Sequence, residues 1–248
     1  MYEEEIKKLK TAIDKAKNIC VFTGAGISCP SGIPDFRSAD GLYNGDGLGK
    51  FTPEEIISHS FFIKHTDMFY DFYKSKMMYP KAKPNKAHIY FAQLEKLGKN
   101  VSVVTQNIDG LHTDAGSTRV YELHGSIRRN YCLGCREFYD GKFVYESNGV
   151  PHCTKCGEIV KPDVVLYEEG LDDFTVNGAV NAIMNAELLI VVGTSLTVYP
   201  AASFLRYFGG ETTALINKSD IVNPHKADIV INDDIINVIN GLCEQDLQ

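Results

Sequence analysis

The sequence predicts an α/β fold in which a doubly wound parallel sheet carries a small inserted domain. Two observations lead to this prediction. Short, mostly apolar runs rich in β-branched residues alternate with segments of helical period, which is typical of parallel strands buried on both faces. Two stretches, residues 39–83 and 127–161, interrupt that alternation and therefore read as insertions.

Six apolar runs are predicted as strands, because each is short and bounded by polar or turn residues. They cover residues 19–22, 101–104, 164–166, 188–192, 214–216 and 229–231. Between several of them lie segments whose apolar residues recur at helical spacing. These predicted helices cover residues 3–16, 85–96, 174–185, 201–208 and 234–242.

The two interruptions are predicted to form one small domain together. Residues 39–83 begin with a glycine-rich loop and continue as an aromatic helical stretch over residues 61–79, while residues 127–161 hold four cysteines. The sheet part then comprises about residues 1–38, 84–126 and 162–248 of a single functional domain that spans residues 1–248. In such a fold the cleft between the two parts is the natural ligand site.

Composition and charge narrow the class of protein. Hydrophobic residues make up 44% and charged residues 23% of the chain, as in an ordinary globular protein. No apolar stretch approaches the roughly 18 residues of a membrane helix, and the charged N-terminus lacks the apolar run of a signal peptide. We therefore predict a cytoplasmic protein without membrane contact. The net charge of −7 argues against direct nucleic-acid binding.

A glycine-rich turn follows the first predicted strand. Such a turn lets the backbone approach a pyrophosphate, and a helix start behind it offers free N–H groups. A plain glycine turn is an equally good reading of this segment alone, because Cys29 takes the third glycine position of the usual fingerprint. An aromatic ring that can cover a nicotinamide and an arginine that can pair with phosphate follow shortly afterwards. The candidate cofactor-binding residues here are Gly24, Ala25, Gly26, Phe36 and Arg37.

Polar residues also follow other predicted strands. Side chains at the carboxyl ends of parallel strands point into the crevice where α/β sheets bind ligands. A histidine placed there can act as a general base near neutral pH, although a lone histidine is more often structural, and we interpret His112 as orienting its loop. The candidates at these strand ends are Gln106, Asn107, Asp109, Gly193, Thr194, Ser195 and Asn217, and the candidate base His124 comes shortly after the loop that follows strand 101–104.

Four cysteines form the strongest single motif. Cys132, Cys135, Cys153 and Cys156 give two Cys-x2-Cys pairs with 17 residues between them. This spacing fits a tetrahedral four-thiolate zinc site, with rubredoxin-like iron as the less favoured alternative. Because four protein ligands leave no open position, this zinc ion is expected to be structural and to hold an insert too small for a core of its own.

Together these motifs resemble those of the sirtuins, the NAD-dependent protein lysine deacylases. The matching segments are residues 24–28, 32–37, 105–109, 123–125 and 193–195, with the two cysteine pairs, in family order over nearly the whole chain. The resemblance implies a Rossmann-like domain with a zinc-bearing small domain. It also implies an NAD-dependent protein lysine deacetylase that acts on acyl-lysine proteins or peptides. NAD would be its co-substrate, and nicotinamide, O-acetyl-ADP-ribose and deacetylated lysine its products.

The resemblance also assigns roles by position. His124 is expected to be the general base, and Asn107 and Asp109 to place the nicotinamide ribose and the attacking water. Further NAD contacts are expected at Gly24, Ala25, Gly26, Phe36, Arg37, Gln106, Gly193, Thr194, Ser195, Asn217 and, late in the chain, Asp234. The substrate peptide is expected to enter as an added strand between Val165 and Tyr167 on one side and Val198 on the other.

Two positions depart from the family's pattern. Glu168 stands where the family usually has glycine, and its negative charge is expected to favour basic residues beside the substrate lysine. Members that prefer succinyl groups carry Tyr-x-x-Arg, whereas here Tyr70 is followed by Tyr73 in place of the arginine. An acidic acyl group would then be buried without a cation. Acetyl or another neutral acyl group is the expected substrate.

Two other functions remain open from the sequence. A mono-ADP-ribosyltransferase would use the same fold and the same cofactor, and a catalytically idle NAD-binding module would keep only the crevice. The complete set of Asn107, Asp109 and His124 argues against both as the main role.

Overall fold

A parallel sheet of six strands organises the large part of the molecule. The computed structural model describes residues 2–35, 51–218 and 227–245. Its strands are β1 (Asn18–Thr23), β2 (Asn100–Thr105), β3 (Val120–Glu122), β4 (Gly125–Cys132), β5 (Phe138–Asp140), β6 (Val160–Val164), β7 (Leu188–Val192), β8 (Thr212–Ile216) and β9 (Ile229–Ile231). The parallel sheet has the order β3-β2-β1-β7-β8-β9.

The strand order reverses direction between β1 and β7. From β1 the chain continues outward to β2 and β3, and it then crosses to β7, β8 and β9 on the other side of β1. The loops that leave β1 and β7 therefore meet at the carboxyl edge of the sheet, at the point where the strand order reverses and where doubly wound sheets bind their ligands.

Helices cover both faces of this sheet. The described helices are α1 (Glu3–Lys15), α2 (Pro53–Ile56), α3 (His59–Lys64), α4 (Thr66–Phe72), α5 (Lys86–Lys96), α6 (Leu111–Ala115), α7 (Gly141–Glu146), α8 (Asp173–Met184) and α9 (Ile235–Gln245), of which α2–α4 and α7 pack in the small part of the molecule and not on this sheet. On one face, α1, α5 and α9 bury Leu9, Phe91 and Val238 against the strands. On the other face, α8 and the 3₁₀ helix Ala201–Tyr207 bury Ile183 and Phe204. The predicted doubly wound α/β fold is confirmed.

The N-terminus of α5 is tied to the first loop of the sheet. Asn85 caps α5 by accepting a hydrogen bond from the Ala87 N–H at 2.9 Å. Its amide nitrogen also donates to the Ile27 carbonyl at 2.8 Å and to the Ser31 hydroxyl at 2.9 Å. The cap therefore holds the glycine-rich loop as well as the helix.

A second, antiparallel sheet lies in the small part of the molecule. Strand β4 runs between β5 and β6, and the cysteine pairs flank this sheet. One buried cluster joins it to the helices α2–α4, with Phe62 and Phe69 on the helices and Val160 on β6. The Tyr70 hydroxyl donates to the Val160 carbonyl across this cluster. The helical stretch and the cysteine module thus share one core.

The prediction and the structure differ at several elements. Residues 164–166 are not a strand of the parallel sheet, because β6 spans Val160–Val164 and pairs antiparallel with β4. The edge strand β3 was not predicted, since it has three residues, all of them only half-buried. The predicted helix 61–79 is interrupted at His65, whose φ of −137° and ψ of 50° are not helical, and it ends in a π-helical turn, Tyr73–Met77.

Two further predictions concern the glycine-rich loop and the absence of a membrane-spanning helix. The glycine-rich loop that begins at residue 41 lies outside the described residues. Within the described ranges, no helix combines the length and the apolar character needed to cross a membrane.

Candidate active site

The loop after β1 makes two short 3₁₀ turns where the sequence predicted the start of a helix. The turns are Ala25–Ile27 and Cys29–Ser31. Pro30 fits the first positions of a helix, but Gly32 ends the second turn at a φ of 85°, a left-handed conformation that favours glycine. The loop is therefore compact, and its backbone stays close to the sheet edge.

Close packing explains the glycines at the crossing of the β1 and β7 loops. The Gly26 N–H donates to the Gly193 carbonyl at 2.8 Å. A Cβ atom on Gly24 would lie 2.7 Å from the Thr194 Cβ, and one on Gly26 would lie 2.7 Å from the Gly193 Cα. Gly193 itself has a φ of 60°. These glycines are thus required by the contact between the two loops before any ligand is considered.

Ser28 joins the two polar residues predicted to act on the cofactor ribose. Its hydroxyl accepts from the Asn107 amide at 3.1 Å and donates to the Asp109 carboxylate at 2.7 Å. The Asn107 amide also donates to the Gly24 carbonyl at 3.1 Å, and the Leu111 N–H donates to the other Asp109 oxygen at 2.8 Å. Ser28 is 1% exposed. The sequence contained it in the glycine motif, but its bridging position depends on contact between two distant loops.

Burial and hydrogen bonding act in opposite directions on Asp109. Burial raises the pKa of its carboxyl group above the usual value. The Leu111 N–H, the Ser28 hydroxyl and the nearby Arg128 guanidinium each lower the pKa and offset part of this effect. The carboxylate is thereby oriented by fixed donors within a half-buried site.

His124 lies directly after β3, next to the loop that follows β2. Its Nδ1 is 2.9 Å from the Gln106 carbonyl oxygen. Since a carbonyl only accepts hydrogen bonds, Nδ1 carries the proton, and Nε2 is left as the basic nitrogen of the neutral ring. Burial lowers the pKa of His124, and the bond to Gln106 opposes that shift. The neutral imidazole required of a general base is therefore favoured.

Further contacts hold the loops in this arrangement. The Gln106 side chain donates to the Thr194 hydroxyl at 3.0 Å and so links the loops after β2 and β7. The buried His112 places its Nε2 3.2 Å from the Thr23 hydroxyl at the end of β1. This contact fits the predicted orienting role of His112.

The remaining candidate residues lie farther along the edge or outside the described residues. Asp234 lines a cavity of about 790 Å³ with Cys29 and Lys218, and its carboxylate accepts from the Ile236 N–H at 2.9 Å near the start of α9. Ser195 and Asn217 also lie at the carboxyl edge, after β7 and β8. Phe36 and Arg37, predicted to contact the cofactor, fall among the residues that the structure does not describe.

The four predicted zinc ligands converge in the small domain. The sulfur atoms of Cys132, Cys135, Cys153 and Cys156 all lie within 4.8 Å of one another. Two pairs are 3.3 and 3.5 Å apart, too far for disulfide bonds. Four thiolates about 2.3 Å from a zinc ion would lie roughly 3.8 Å apart at tetrahedral corners. The donor set and its spacing therefore fit one structural zinc ion.

The zinc site has its own supporting contacts. The Tyr139 hydroxyl donates to the Cys153 sulfur at 3.2 Å, and the backbone N–H of Lys155 lies 3.3 Å from the same sulfur. The Cys135 N–H is 3.4 Å from the Cys132 sulfur. Donors of this kind stabilise the thiolate form that binds metal.

Comparison with known proteins agrees with this arrangement. A family model described as the Sir2 family matches residues 24–200, the span from the first glycine loop to the loop after β7. The chain belongs to the Sir2 family. The sirtuin resemblance predicted from the motifs is thereby confirmed.

Relatives of this Sir2-family chain match it over nearly its full length. An NAD-dependent protein deacetylase of Clostridium perfringens is 57% identical over 243 residues, which cover 98% of this chain and all of the relative. A solved Sir2 enzyme is 39% identical with a TM-score of 0.87 and covers 99% of this chain and 100% of its own. A Sir2 variant solved with a deacetylated peptide and 3′-O-acetyl-ADP-ribose is 34% identical, with a TM-score of 0.86 and coverages of 97% and 98%.

In this Sir2-family structure, the segment predicted to bind peptide begins beside His124. The Val165 N–H donates to the His124 carbonyl at 3.0 Å. Both backbone groups of Tyr167 are used within the chain, because its N–H donates to Ile57 and its carbonyl accepts from His59. A substrate contact at Tyr167 would therefore come from its 41% exposed ring. Val198, the candidate on the opposite side, precedes the 3₁₀ helix Ala201–Tyr207.

Glu168 has a local structural role in addition to its charge. It has a φ of 75°, in the region that favours the glycine usual at this position. Its carboxylate accepts from the Ser60 N–H at 2.8 Å and from the Ser60 hydroxyl at 3.0 Å, in the first turn of α3. The carboxylate thus ties the predicted peptide segment to the helical part of the small domain.

Proposed function

We propose that this Sir2-family chain is an NAD-dependent protein lysine deacetylase in which His124 is the general base. The observation that carries this assignment is the bond from His124 Nδ1 to the Gln106 carbonyl, because it leaves Nε2 unprotonated on a ring that is anchored to the loop carrying Asn107 and Asp109. The Clostridium perfringens relative bears the name NAD-dependent protein deacetylase, and the Sir2 variant was solved with two of the three expected products, a deacetylated peptide and 3′-O-acetyl-ADP-ribose.

The reaction requires that a positive charge develop on the ribose as nicotinamide leaves. The acyl oxygen of the substrate lysine attacks the ribose carbon, and Asn107 and Asp109 hold the sugar while that bond forms. Ser28 holds the Asn107 amide and the Asp109 carboxylate in place. Because these groups are already oriented, no free energy is needed to reorient them as charge develops. His124 then takes a proton from a ribose hydroxyl, whose oxygen attacks the bound imidate carbon. The lysine amine leaves that carbon with a proton, and one water molecule adds in its place. Cleavage of the bond from that carbon to the original acyl oxygen, which stays on the first ribose carbon as a hydroxyl, gives O-acetyl-ADP-ribose. The products are nicotinamide, free lysine and O-acetyl-ADP-ribose.

The substrate is proposed to be a neutral acyl-lysine. Tyr73, which stands where succinyl-preferring members have arginine, is fully buried and stacks on Phe69 with ring centroids 5.5 Å apart. The neighbouring Lys74 does not replace that cation, since its ammonium group donates to Ser147 and to the Gly149 carbonyl. A carboxylate on the acyl group would therefore enter this region without a partner.

A set of acyl-lysine peptides, incubated with and without NAD and analysed by mass spectrometry, tests the function and the acyl preference together. We expect acetyl-lysine to be deacylated only with NAD, and succinyl-lysine to be turned over at least roughly tenfold more slowly. Equal rates on both peptides would contradict the predicted preference. Labelled NAD that stays covalently on a protein target without deacylated peptide would instead indicate an ADP-ribosyltransferase. No nicotinamide release with any peptide would indicate an idle binding module.

The pH dependence of the reaction tests the base. Burial lowers the pKa of His124, so its neutral form persists to lower pH than that of a free histidine. We expect kcat/KM to fall as the pH drops through a midpoint below about 6.5, the pKa of an unperturbed histidine. Rates of the wild-type enzyme on acetyl peptide from about pH 5 to 9 measure this midpoint. A midpoint clearly above that value would assign the base to another group.

A further inference from the structure

The pairing of β4 with β6 is interrupted at residues that contact the loop carrying Asp109. Ser126 pairs with Asp163, but the next paired residue on β4 is Asn130, which lies opposite Pro162. Residues 127–129 of β4 therefore have no counterparts on β6. Proline has no backbone N–H to donate to a ladder. A bulge of this kind changes the direction in which side chains point, and bulges are common beside active sites.

The bulge docks on the loop after β2. The Ile127 N–H donates to the Ile108 carbonyl at 3.0 Å. The next residue, Arg128, donates from Nε to the Asp109 carbonyl at 3.3 Å. Its two terminal nitrogens bind both carboxylate oxygens of Asp114 on α6, just beyond the loop. One guanidinium group thus joins the middle of the loop to the helix that follows it.

Gly110 provides the space for this contact. Its φ is 74°, and a Cβ atom there would lie only 2.7 Å from the Arg128 Cζ and 2.8 Å from the Cδ. The guanidinium therefore lies against the backbone of the loop. The three hydrogen bonds to Asp109 and Asp114 require the planar guanidinium group of an arginine, whose N–H donors point in fixed directions. The ammonium group of a lysine cannot make all three.

The ion pair alone does not explain this arrangement. The side chains of Arg128 and Asp114 are 41% and 40% exposed, and pairs this exposed contribute little to stability. The bond to the Asp109 carbonyl differs, because it acts on the residue whose carboxylate is held by Ser28 and Leu111 on its other side. Small displacements of such a group are costly in catalysis.

We propose that Arg128 is a positioning residue of the deacetylation reaction, which holds the Asp109 loop against Asp114 so that the Asp109 carboxylate meets the NAD ribose. This inference rests on the proposed function. It concerns the cofactor side of the site, because the described hydrogen bonds of the Arg128 guanidinium go to the Asp109 carbonyl and the Asp114 carboxylate and not to the predicted peptide segment around Val165. The effect of losing Arg128 should therefore appear in the kinetics for NAD and not in the peptide KM.

Four variants test this role by steady-state kinetics. Arg128→Gln removes the charge and the fork, and we expect kcat/KM for NAD to fall roughly tenfold while the peptide KM stays within about twofold. Arg128→Lys keeps the positive charge but lacks the planar guanidinium group, and its kcat/KM for NAD should remain below that of wild type. Asp114→Asn should be impaired less, and the double variant Arg128→Gln with Asp114→Asn should be no worse than Arg128→Gln alone. The control is Arg119→Gln, which also removes one positive charge. Arg119 donates a hydrogen bond to Asn100 at 3.3 Å, and we expect the kinetics of this variant to match wild type.

Several outcomes would overturn the inference. Unchanged NAD kinetics in Arg128→Gln would do so, and so would an equal loss for NAD and peptide together with a lowered melting temperature, since that is the result of a merely structural role. Full recovery in Arg128→Lys would show that charge alone is needed. If the wild-type chain shows no NAD-dependent deacetylation, the proposed function fails and this inference fails with it. An active wild type with normal kinetics in Arg128→Gln rejects the positioning role alone.

Discussion

His124→Ala is expected to abolish deacetylation while leaving the fold intact. A general base contributes about 10²–10⁴-fold to a rate, and we expect deacetylation to fall by at least this factor because the ribose hydroxyl cannot attack the imidate until it loses its proton. The structural cost is small, since the half-buried ring makes one described hydrogen bond, to the Gln106 carbonyl. Losing such a bond costs about 1 kcal/mol, which lowers the melting temperature of a chain of this size by roughly 2–4 °C.

The measurements are the rate of peptide deacetylation, the melting temperature and the affinity for NAD. NAD binding should persist in His124→Ala, because Asn107, Asp109 and Ser28 bond to one another without the imidazole. His65→Ala is a suitable control for the fold and for NAD binding, as His65 is an exposed ring that packs on Phe61. Wild-type rates in His124→Ala would reject the base. A loss of NAD binding would indicate that the variant damages the ribose site instead.

Most of the parallel sheet could be predicted from local sequence because its strands are buried on both faces. Such strands must be almost continuously apolar, as in Leu188–Val192, where every residue is buried. The edge strand Val120–Glu122 could not be recognised in this way, since an edge strand needs less apolar surface. The run 164–166 was assigned to the wrong sheet because three apolar residues do not reveal their pairing partner.

In the candidate site, too, short local motifs could be predicted from the sequence, whereas contacts between residues far apart in the chain could not. Short motifs identified the loops that carry Asn107, Asp109 and His124. Asn107 and Asp109 follow a predicted strand, whereas His124 follows β3, which was not predicted. The motifs did not identify Ser28 as the bridge between Asn107 and Asp109, nor Arg128 as a contact of Asp109. Both contacts arise only when separate strand ends meet at one edge, and the second also needs the bulge opposite Pro162.

Cys153→Ser is expected to release the zinc ion and to unfold the small domain. Structural zinc sites of this type contribute about 10 kcal/mol or more to folding, so loss of one thiolate should lower the melting temperature by roughly 10 °C or more. Cys153 also belongs to the buried cluster that contains Phe69 and Val160, so the helices α2–α4 would lose part of their core as well.

Activity should be lost in Cys153→Ser although zinc has no part in the chemistry. Strand β4 begins directly after His124, and β6 leads directly into Val165, so a disordered β4–β6 pair would release both the base and the predicted peptide segment. Metal analysis, thermal melting and the deacetylation rate should therefore change together. Cys243→Ser, at an exposed thiol on α9, is the matched control and should keep one zinc ion per chain. Full zinc content and an unchanged melting temperature in Cys153→Ser would refute the structural role of the four-cysteine site.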